Sequence, residues 1–523
     1  MTFPWLTVIG AVPLVGAGVV ASVPTANVKR IKQAALGVSL LTLALTIAMV
    51  TQFAPHGDRF QFNQDVSWIP AFGIHYAVGV DGIALVLILL TAVLYPVVIL
   101  ASWHECESTK RSAKTYLVLM VAMESLLIGV FAATDVFMFY VFFEAMLIPM
   151  YFIIGSAGTP RSSYAALKFL LYSLFGGLLM LAAVIGLYVV GGHTMLYSSL
   201  QHLHLAGNDE RWLFLGFFIA FAIKAPLWPF HTWLPDAAAE SPVGGTVLLV
   251  GVLDKVGTFG FLRYCLGLFP HASHWFTPVV LTLAVVGIIY GALQAIGQKD
   301  MLRLVAYTSV SHFGLITLGV FAFTSQGQAG ATLYMVNHGF STGALLLVIG
   351  FMIARRKSRG INDFGGMQKV APILAGTFLI ACLSGLALPG LNTFVSEFLV
   401  LVGSFTRYKV AASIGTVGII LAALYMLILY QRTMTGPVSP DVEGSRDLSL
   451  REKWVIAPVV AIIVVLGFYP RPLLDAITPA VSSTLQQTGN TDPKPAVPLA
   501  AGSAVGSAGT AAGSTTTASG GSS

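Results

Sequence analysis

The stretch that decides the fold runs from residue 135 to residue 155 and reads DVFMFYVFFEAMLIPMYFIIG. A helix of about 20 apolar residues is long enough to cross the hydrocarbon core of a membrane. Glu144 interrupts the stretch about nine residues after Asp135, which puts a carboxyl group roughly 13 Å into a core of about 30 Å. A charge at that depth is costly, so it marks a candidate functional site.

Similar apolar stretches follow one another along most of the 523 residues. Apolar residues make up 56% of the chain and charged residues 10%, so the sequence predicts an all-α polytopic membrane protein with the lipid bilayer as its surroundings. We predict about fourteen transmembrane helices, at residues 3–24, 33–54, 81–102, 115–133, 136–155, 165–190, 212–226, 244–268, 277–297, 302–323, 329–353, 372–404, 410–431 and 454–470.

The positions of lysine and arginine support this count. With the N-terminus outside, most of the basic loop residues fall on the cytoplasmic side, and one helix more or fewer would destroy the bias. Both termini are therefore expected on the non-cytoplasmic side. The net charge of +6 reflects this loop bias, so no nucleic-acid partner is expected.

Two of the predicted spans contain helix breakers. The seventh has Pro226 and Pro229 within IKAPLWPFHTWLPD, and the twelfth has Pro389 and Gly390 within LALPGLNTFVSEF. Proline removes a backbone donor, and broken helices at corresponding positions of two halves are typical of a transport site. Each break lies in the fourth helix of a five-helix block, helices 4–8 and helices 9–13. We therefore infer two inverted five-helix repeats.

These blocks form two of the five predicted domains. The last domain is a tail rich in Ser, Thr, Gly and Ala. Such a composition buries too little apolar surface to offset the entropy of ordering, so this tail is expected to be disordered. The domains are an N-terminal three-helix region at 1–114, the two repeats at 115–268 and 269–435, the last helix and its flanks at 436–487, and the disordered tail at 488–523.

The strongest functional candidates are six ionisable residues inside the spans. A buried carboxylate and a buried ammonium stabilise each other's charged forms, which suits either an electrostatic switch or a structural ion pair between two helices. Desolvated lysine can lose its proton and histidine titrates near neutral pH, so both suit a proton relay. The histidines could instead be core residues, and the last glutamate a cap or an interface residue. The six are Glu144, Lys224, Lys255, His312, His338 and Glu397.

Three further residues are secondary candidates. Glu124 lies within the fourth span, where it could relay protons or pair with a neighbouring side chain. His231 and Asp236 lie near the cytoplasmic end of the broken seventh span. They could line a proton uptake path or anchor a loop.

Motifs for cofactors are absent from the sequence. We find no P-loop, no GxGxxG, no CxxC and no HExxH, and the three cysteines are too far apart for a metal or iron–sulfur site. No cofactor and no metal are therefore expected on this chain. The energy for transport would come from an ion gradient or from partner subunits.

Six strings carry a resemblance to a known family: YVFFEAMLIPMYFIIG, IKAPLWPFHTWLPDA, LDKVGTFGFLRY, RLVAYTSVSHFG, VNHGFSTGALLL and LPGLNTFVSEFLVLVGSF. In wording and order they resemble the antiporter-like membrane subunits of respiratory complex I, over roughly residues 75 to 435. One departure is Ala238, which stands where the family has a histidine.

The resemblance implies a role for each candidate. Glu144 and Lys224 would be the input ion pair, Lys255 the first central proton carrier, and Glu397 the terminal proton-releasing group, with His312 and His338 as the bridge between them. FMN, iron–sulfur clusters and quinone would belong to partner subunits. The nearest partners would be other membrane subunits, especially neighbouring antiporter-like ones. The bacterial plasma membrane is favoured over the mitochondrial inner membrane.

Two other functions fit part of the pattern. A subunit of a multisubunit cation/proton antiporter would share the fold and most of these residues, although Glu397 favours the complex I family. A standalone transporter for an organic solute would need a polar pocket of the size of the solute, and the sequence offers none.

Overall fold

The protein, described by a computed structural model for residues 3–203 and 205–494, consists almost entirely of helices. As far as Asp492 the chain forms one compact unit; a second unit begins at Pro493, and only its residues 493 and 494 are described. The helices are α1 (Trp5–Ser22), α2 (Val28–Val50), α3 (Gly82–Ala101), α4 (Ala113–Ala132), α5 (Val136–Ala145), α6 (Leu147–Ile154), α7 (Ser162–Val190), α8 (Tyr197–Leu200), α9 (Gly207–Lys224), α10 (Trp233–Glu240), α11 (Val243–Leu248), α12 (Lys255–Gly260), α13 (Leu266–Leu268), α14 (Pro270–Ile296), α15 (Met301–Val320), α16 (Ser325–Arg356), α17 (Met367–Val370), α18 (Pro372–Gly385), α19 (Asn392–Phe405), α20 (Lys409–Met434), α21 (Leu450–Phe468) and α22 (Arg471–Gln487).

Several of these helices join into longer ones. Helices α5 and α6 form one span, Val136–Ile154. Two π turns, Leu249–Leu253 and Phe261–Cys265, connect α11, α12 and α13 into the span Val243–Leu268. π turns inside α-helices are frequent at functional sites, and Lys255 lies between these two.

The helices confirm a multi-pass membrane protein. Among the described residues eleven helices are long and apolar enough to cross a membrane, or twelve if α21 and α22, which bend by 69° at their junction, are one span. Each of the fourteen predicted intervals contains a helix. Helix α9 carries several charges, α18 and α19 are short, and α21 begins with charged residues. The count of fourteen is therefore consistent with the structure without being confirmed, and the inverted repeats stay a prediction.

Four elements form the centre of the helical bundle. The span Val243–Leu268 is buried throughout, and α3, α15 and α16 are buried along most of their length. Helix α16 packs against both α15 and α19. Outer helices such as α7 and α20 instead expose large apolar side chains, as a lipid-facing surface requires. The central elements carry three of the six main candidates, Lys255, His312 and His338.

A β-hairpin precedes α3 and was not predicted. Strands β1 (Gln61–Ile69) and β2 (Ile74–Val80) pair antiparallel, and Gly73 turns the chain between them with a φ of 56°. The hairpin leads into Asp81, which accepts a hydrogen bond from the Ala84 amide at 2.9 Å. The same carboxylate pairs with Arg263 at 2.8 Å, so it anchors the start of α3 to the central span.

The C-terminal part differs from the expected tail. Helix α22 extends the chain beyond the last predicted span, and Thr488 is buried. Arg407 donates a hydrogen bond to Asn490 at 2.9 Å, and the Asp492 carboxylate accepts one from the Ser325 amide at 2.8 Å. Residues 490 and 492 thus bind helix ends through these polar groups, although the predicted disordered tail begins at residue 488, and the extent of that tail stays a prediction. Residues 495–523 lie outside the described part of the chain.

Candidate functional site

Lys255 occupies the centre of the bundle. Its side chain is completely buried, and its amine lies 2.7 Å from His338 Nδ1. The amine also donates to the Val250 carbonyl oxygen at 2.5 Å, within the first π turn. The Phe313 ring covers it, with 5.0 Å between the amine and the ring centroid. The π turn therefore supplies one hydrogen-bond partner of the amine, and helix α16 supplies another.

Glycine lets α16 approach the π turn closely enough for this contact. A Cβ atom on Gly339, the neighbour of His338, would lie 2.8 Å from the carbonyl oxygen of Gly251. That atom belongs to the backbone and cannot move aside as a flexible side chain could. The absence of a side chain at Gly339 thus holds His338 within reach of Lys255.

We expect Gly339→Ala to separate α16 from the central span. The added methyl should destabilise the protein by about 1–3 kcal/mol, as overpacking of a core usually does, and should break the contact between Lys255 and His338. Thermal unfolding of the purified protein would measure the loss of stability. Gly343→Ala is the matched control, because a Cβ one turn further along α16 meets nothing closer than 3.8 Å. Equal behaviour of the two variants would contradict the close approach.

His338 and His312 lie beside each other on α16 and α15. Their ring centroids are 5.3 Å apart and the rings are nearly perpendicular, at 88°. His312 Nε2 lies 3.3 Å from the hydroxyl of Tyr425 on α20. His338 is thus the histidine that contacts Lys255, and His312 lies farther from the lysine. The order in space is therefore opposite to the order in the sequence, where His312 comes first.

Tyrosines connect the histidines to Glu397. The Tyr334 hydroxyl donates a hydrogen bond to Glu397 Oε1, and its ring centroid lies 5.8 Å from that of His312. Glu397 is buried on α19, and its other carboxylate oxygen has no hydrogen-bond partner among the described residues. Glu397 therefore lies at the far end of a series of polar side chains that begins at Lys255, in which no hydrogen bond among the described residues joins the two histidines.

The sequence interpretation missed both tyrosines. Tyr334 lies one helical turn before His338, at the spacing that places two side chains on the same helix face, so its position was open to prediction. Tyr425 lies on α20, and its approach to His312 depends on helix packing. An aromatic side chain in an apolar run is usually a core residue, so the sequence interpretation did not consider either hydroxyl group as part of the site.

Asparagine side chains hold α16 against the unwound start of α19. Asn337 donates to the Asn392 carbonyl oxygen at 2.7 Å, and Asn392 donates back to the Asn337 carbonyl oxygen at 3.1 Å. The two amide side chains therefore connect the middle of α16 to the first residue of α19. The reciprocal pair fixes the height of Glu397 relative to the histidines.

Lys224 and Glu144 lie in the same region without forming a direct ion pair. Lys224 is buried at the C-terminal end of α9, and its amine lies 5.0 Å from the ring centroid of Phe143. The Glu144 carboxylate occupies the space beside Gly177 of α7. Within the described residues no ion pair of 4 Å or less joins the two charges. They interact electrostatically across a gap.

The secondary candidates are separate from this line. Glu124 is completely buried on α4, and neither carboxylate oxygen has a hydrogen-bond partner in the described part of the chain. His231 lies against Tyr290, with 5.0 Å between the ring centroids.

Asp236 is engaged by cations at the predicted cytoplasmic end. It pairs with Lys168 at 2.7 Å and also with Arg303. Burial alone would raise the pKa of Asp236. The hydrogen bond and charge of Lys168 and the charge of Arg303 outweigh this effect and lower the pKa below its usual value, so the carboxylate stays ionised. In the structure this residue joins three segments, as the loop-anchoring alternative requires.

No set of three or more His, Cys, Asp or Glu side chains within residues 3–203 and 205–494 is arranged to hold a metal ion. The line from Lys255 to Glu397 consists of amine, imidazole, hydroxyl and carboxyl groups. All of these can bind and release protons or donate hydrogen bonds.

Two family models match the chain. A model described as "NADH:quinone oxidoreductase/Mrp antiporter, TM" matches residues 133–423, which is more than half of the sequence. A second, described as "NADH-ubiquinone oxidoreductase chain 4, amino terminus", matches residues 29–130. Together they include all nine candidate site residues, since Glu124 lies within 29–130 and the other eight lie within 133–423.

Curated relatives match over nearly the whole chain. NADH-quinone oxidoreductase subunit M of Mycobacterium tuberculosis is 51% identical over 531 aligned residues, with 94% of this chain and 96% of the relative covered. NADH-ubiquinone oxidoreductase chain 4 of Chondrus crispus is 39% identical, with 89% of this chain and 94% of the relative covered.

Solved structures share the fold. A chain of respiratory complex I from Thermus thermophilus superposes with a TM-score of 0.85 at 30% identity, covering 93% of this chain and all of that one. A chain of the Mrp complex from Dietzia superposes with a TM-score of 0.84 at 22% identity, again over 93% of this chain. At that identity the second likeness concerns the fold alone.

Proposed function

Because the chain belongs to the family of NADH-quinone oxidoreductase subunit M and NADH-ubiquinone oxidoreductase chain 4, we propose that its buried residues from Glu144 to Glu397 carry protons across the membrane. The protein is a proton-translocating membrane subunit of NADH:quinone oxidoreductase. The resemblance seen in the sequence is thereby confirmed.

The observation that carries the proposed relay is a series of neighbouring polar groups through a buried bundle. Lys255 contacts His338 directly, His338 lies beside His312, Tyr425 contacts His312, and Tyr334 donates a hydrogen bond to Glu397. Ionisable side chains inside a membrane protein are rare and costly, so a connected set of them supports a proton path more strongly than any single residue does.

We propose that the proton moves along this line in steps. A protonated Lys255 gives its proton to His338 Nδ1, across 2.7 Å. Rotation of either imidazole about its side-chain bonds brings the two rings into contact, and His312 receives the proton. The hydroxyls of Tyr425 and Tyr334 then connect His312 to Glu397, which releases the proton.

Glu144 and Lys224 would form the input side. Their charges interact without a closed ion pair, so a small movement of α9 against α5 would strengthen or weaken the interaction. Each change would alter how readily Lys224 holds its proton. Glu124 would be a secondary relay group, and His231 and Asp236 would lie on the uptake side.

The driving energy would come from redox chemistry on other subunits. We propose that FMN, iron–sulfur clusters and quinone bind to partner subunits and that this chain holds none of them. It would lie next to other antiporter-like membrane subunits, in a bacterial plasma membrane, with both termini on the non-cytoplasmic side.

A multisubunit cation/proton antiporter is the alternative. The Dietzia structure shares the fold, and the family model that covers residues 133–423 includes such antiporters in its description. The curated relatives at 51% and 39% identity are named as NADH oxidoreductase subunits, which favours the first function.

His338→Gln tests the proposed relay. Glutamine keeps a hydrogen-bonding side chain but cannot carry a proton, so we expect NADH-driven pumping to fall at least about tenfold, since a positioned proton-transfer group contributes about 10²–10⁴ in rate. Pumping would be measured by acidification of inverted vesicles from cells that assemble this chain into their NADH:quinone oxidoreductase.

His274→Gln is the control for this experiment. His274 lies at the start of α14, contacts Asn490, and belongs to no part of the relay. It should pump at the wild-type rate. Wild-type pumping by the His338→Gln enzyme, with normal amounts of the assembled complex, would refute a relay through α16.

A further inference from the structure

Asp254 is a buried carboxylate to which the relay described above gives no role. It follows the first π turn directly and precedes Lys255, and no part of its side chain is exposed. Neither of its carboxylate oxygens has a hydrogen-bond partner within residues 3–203 and 205–494. An unpaired carboxylate in a membrane interior is costly, so a purely structural role does not account for it.

One face of α12 directs Asp254 towards Lys224. Gly257, one helical turn after Asp254 on the same face, touches the last turn of α9, because a Cβ there would lie 2.6 Å from the Phe221 carbonyl oxygen. Lys224 ends that turn. The Lys224 ammonium accordingly acts electrostatically on the Asp254 carboxylate.

The neighbouring face of the same helix carries Lys255. Successive residues of a helix point about 100° apart, so Lys255 reaches α16 and His338 while Asp254 faces the end of α9. Lys255 also acts electrostatically on the Asp254 carboxylate. The carboxylate thus lies between two amines that do not contact each other.

The relay lacks a direct connection at this point. In the described part of the chain no hydrogen bond joins Lys224 to Lys255, and the Lys224 amine has no hydrogen-bond partner. A fixed counter-ion would form a closed ion pair with one of the lysines. No ion pair of 4 Å or less involves Asp254 among the described side chains, so both its oxygens are free to accept a proton.

We propose that Asp254 is a further proton-carrying residue, which links Lys224 to Lys255. Lys224 in its ammonium form gives a proton to the Asp254 carboxylate and becomes a neutral amine. The carboxylic acid then gives the proton to the neutral amine of Lys255 and returns to the carboxylate. The proton is conserved at each step. This inference rests on the proposed function of the chain as a proton-translocating subunit.

The test compares Asp254→Asn with Asp254→Glu in the assembled complex. Asparagine has nearly the same shape but cannot bind the proton, so NADH-driven pumping should fall at least about tenfold, as expected for loss of a positioned proton-transfer group. Glutamate keeps the carboxyl group and should retain most of the pumping. NADH oxidation with a water-soluble electron acceptor reports the amount of intact enzyme and should stay unchanged in both variants.

A second readout responds to protonation and not to structure. Infrared difference spectra, recorded between oxidised and NADH-reduced enzyme, should contain a carbonyl band from a protonated buried carboxyl group. We expect this band to disappear in Asp254→Asn and to shift in Asp254→Glu. If the asparagine variant does not assemble, the spectrum of the glutamate variant decides, since an unshifted band would overturn the proposal.

The outcomes separate this inference from the proposed function. Wild-type pumping by Asp254→Asn together with failure of His338→Gln would overturn the role of Asp254 and leave the relay intact. Wild-type pumping by both variants would overturn the relay itself.

Discussion

Replacing Lys255 by alanine is expected to abolish proton pumping while the complex still assembles. Among the described residues the Lys255 amine is the group of the central span that hydrogen-bonds to His338, so its removal breaks the line between the input side and the histidines. Alanine leaves a buried imidazole nitrogen and the Val250 carbonyl oxygen without their partner. We expect pumping to fall at least about a hundredfold, within the range of about 10²–10⁴ for a lost proton-transfer group.

Two further variants make this result specific. Lys255→Arg keeps the positive charge, but guanidinium does not release its proton, so the variant should assemble and pump poorly. Lys369→Ala removes an exposed lysine of the short helix α17 and should pump normally. Vesicle acidification, normalised to NADH oxidation, would compare them. Equal pumping by the alanine variant and the wild type would exclude Lys255 from the path.

Replacing Glu397 by glutamine is expected to stop the release of protons at the far end of the line. Glutamine is nearly isosteric and can still accept the hydrogen bond of Tyr334, so packing on α19 should be preserved. It cannot bind or release a proton, and pumping should therefore fall at least about tenfold. Steady-state pumping and the amount of assembled complex would be measured in the same vesicles.

Glu443→Gln is the matched control, because it makes the same chemical change at an exposed loop position. Its pumping should equal that of the wild type. A Glu397→Gln enzyme that pumps at the normal rate would show that protons leave by another group, and Tyr334 would then have only a structural role.

The helices were predictable because each is determined by the residues of its own segment. A run of about 20 apolar residues has few alternatives to a membrane helix, and every predicted interval contains a helix. The β-hairpin at residues 61–80 and helix α22 were missed because both are too polar for that criterion. Such polar segments are stabilised by contacts with distant parts of the chain. One example is the ion pair of Asp81, which follows the hairpin, with Arg263, and a local sequence pattern does not predict this contact.

The candidate site was only partly predictable for the same reason. Lys255 and Glu397 stood out as charges within apolar runs, whereas the order of the histidines depends on how α15 and α16 cross. The predicted pair of Glu144 and Lys224 is not in direct contact, and the Lys224 amine instead lies 5.0 Å from the ring centroid of Phe143. The position of a residue within an apolar run predicts its depth in the membrane. The direction of its side chain depends on how the helices pack, which the spacing does not show.

The π turns give the segment around Lys255 a geometric requirement in addition to its chemical one. A π turn holds one residue more than a turn of α-helix, and the turn at Leu249–Leu253 ends two residues before Lys255. If the same residues formed regular α-helix instead, the extra residue would rotate everything after it by about 100°. The amine would then point away from His338 although no functional residue had changed. The register of this helix is therefore itself a functional property of the sequence.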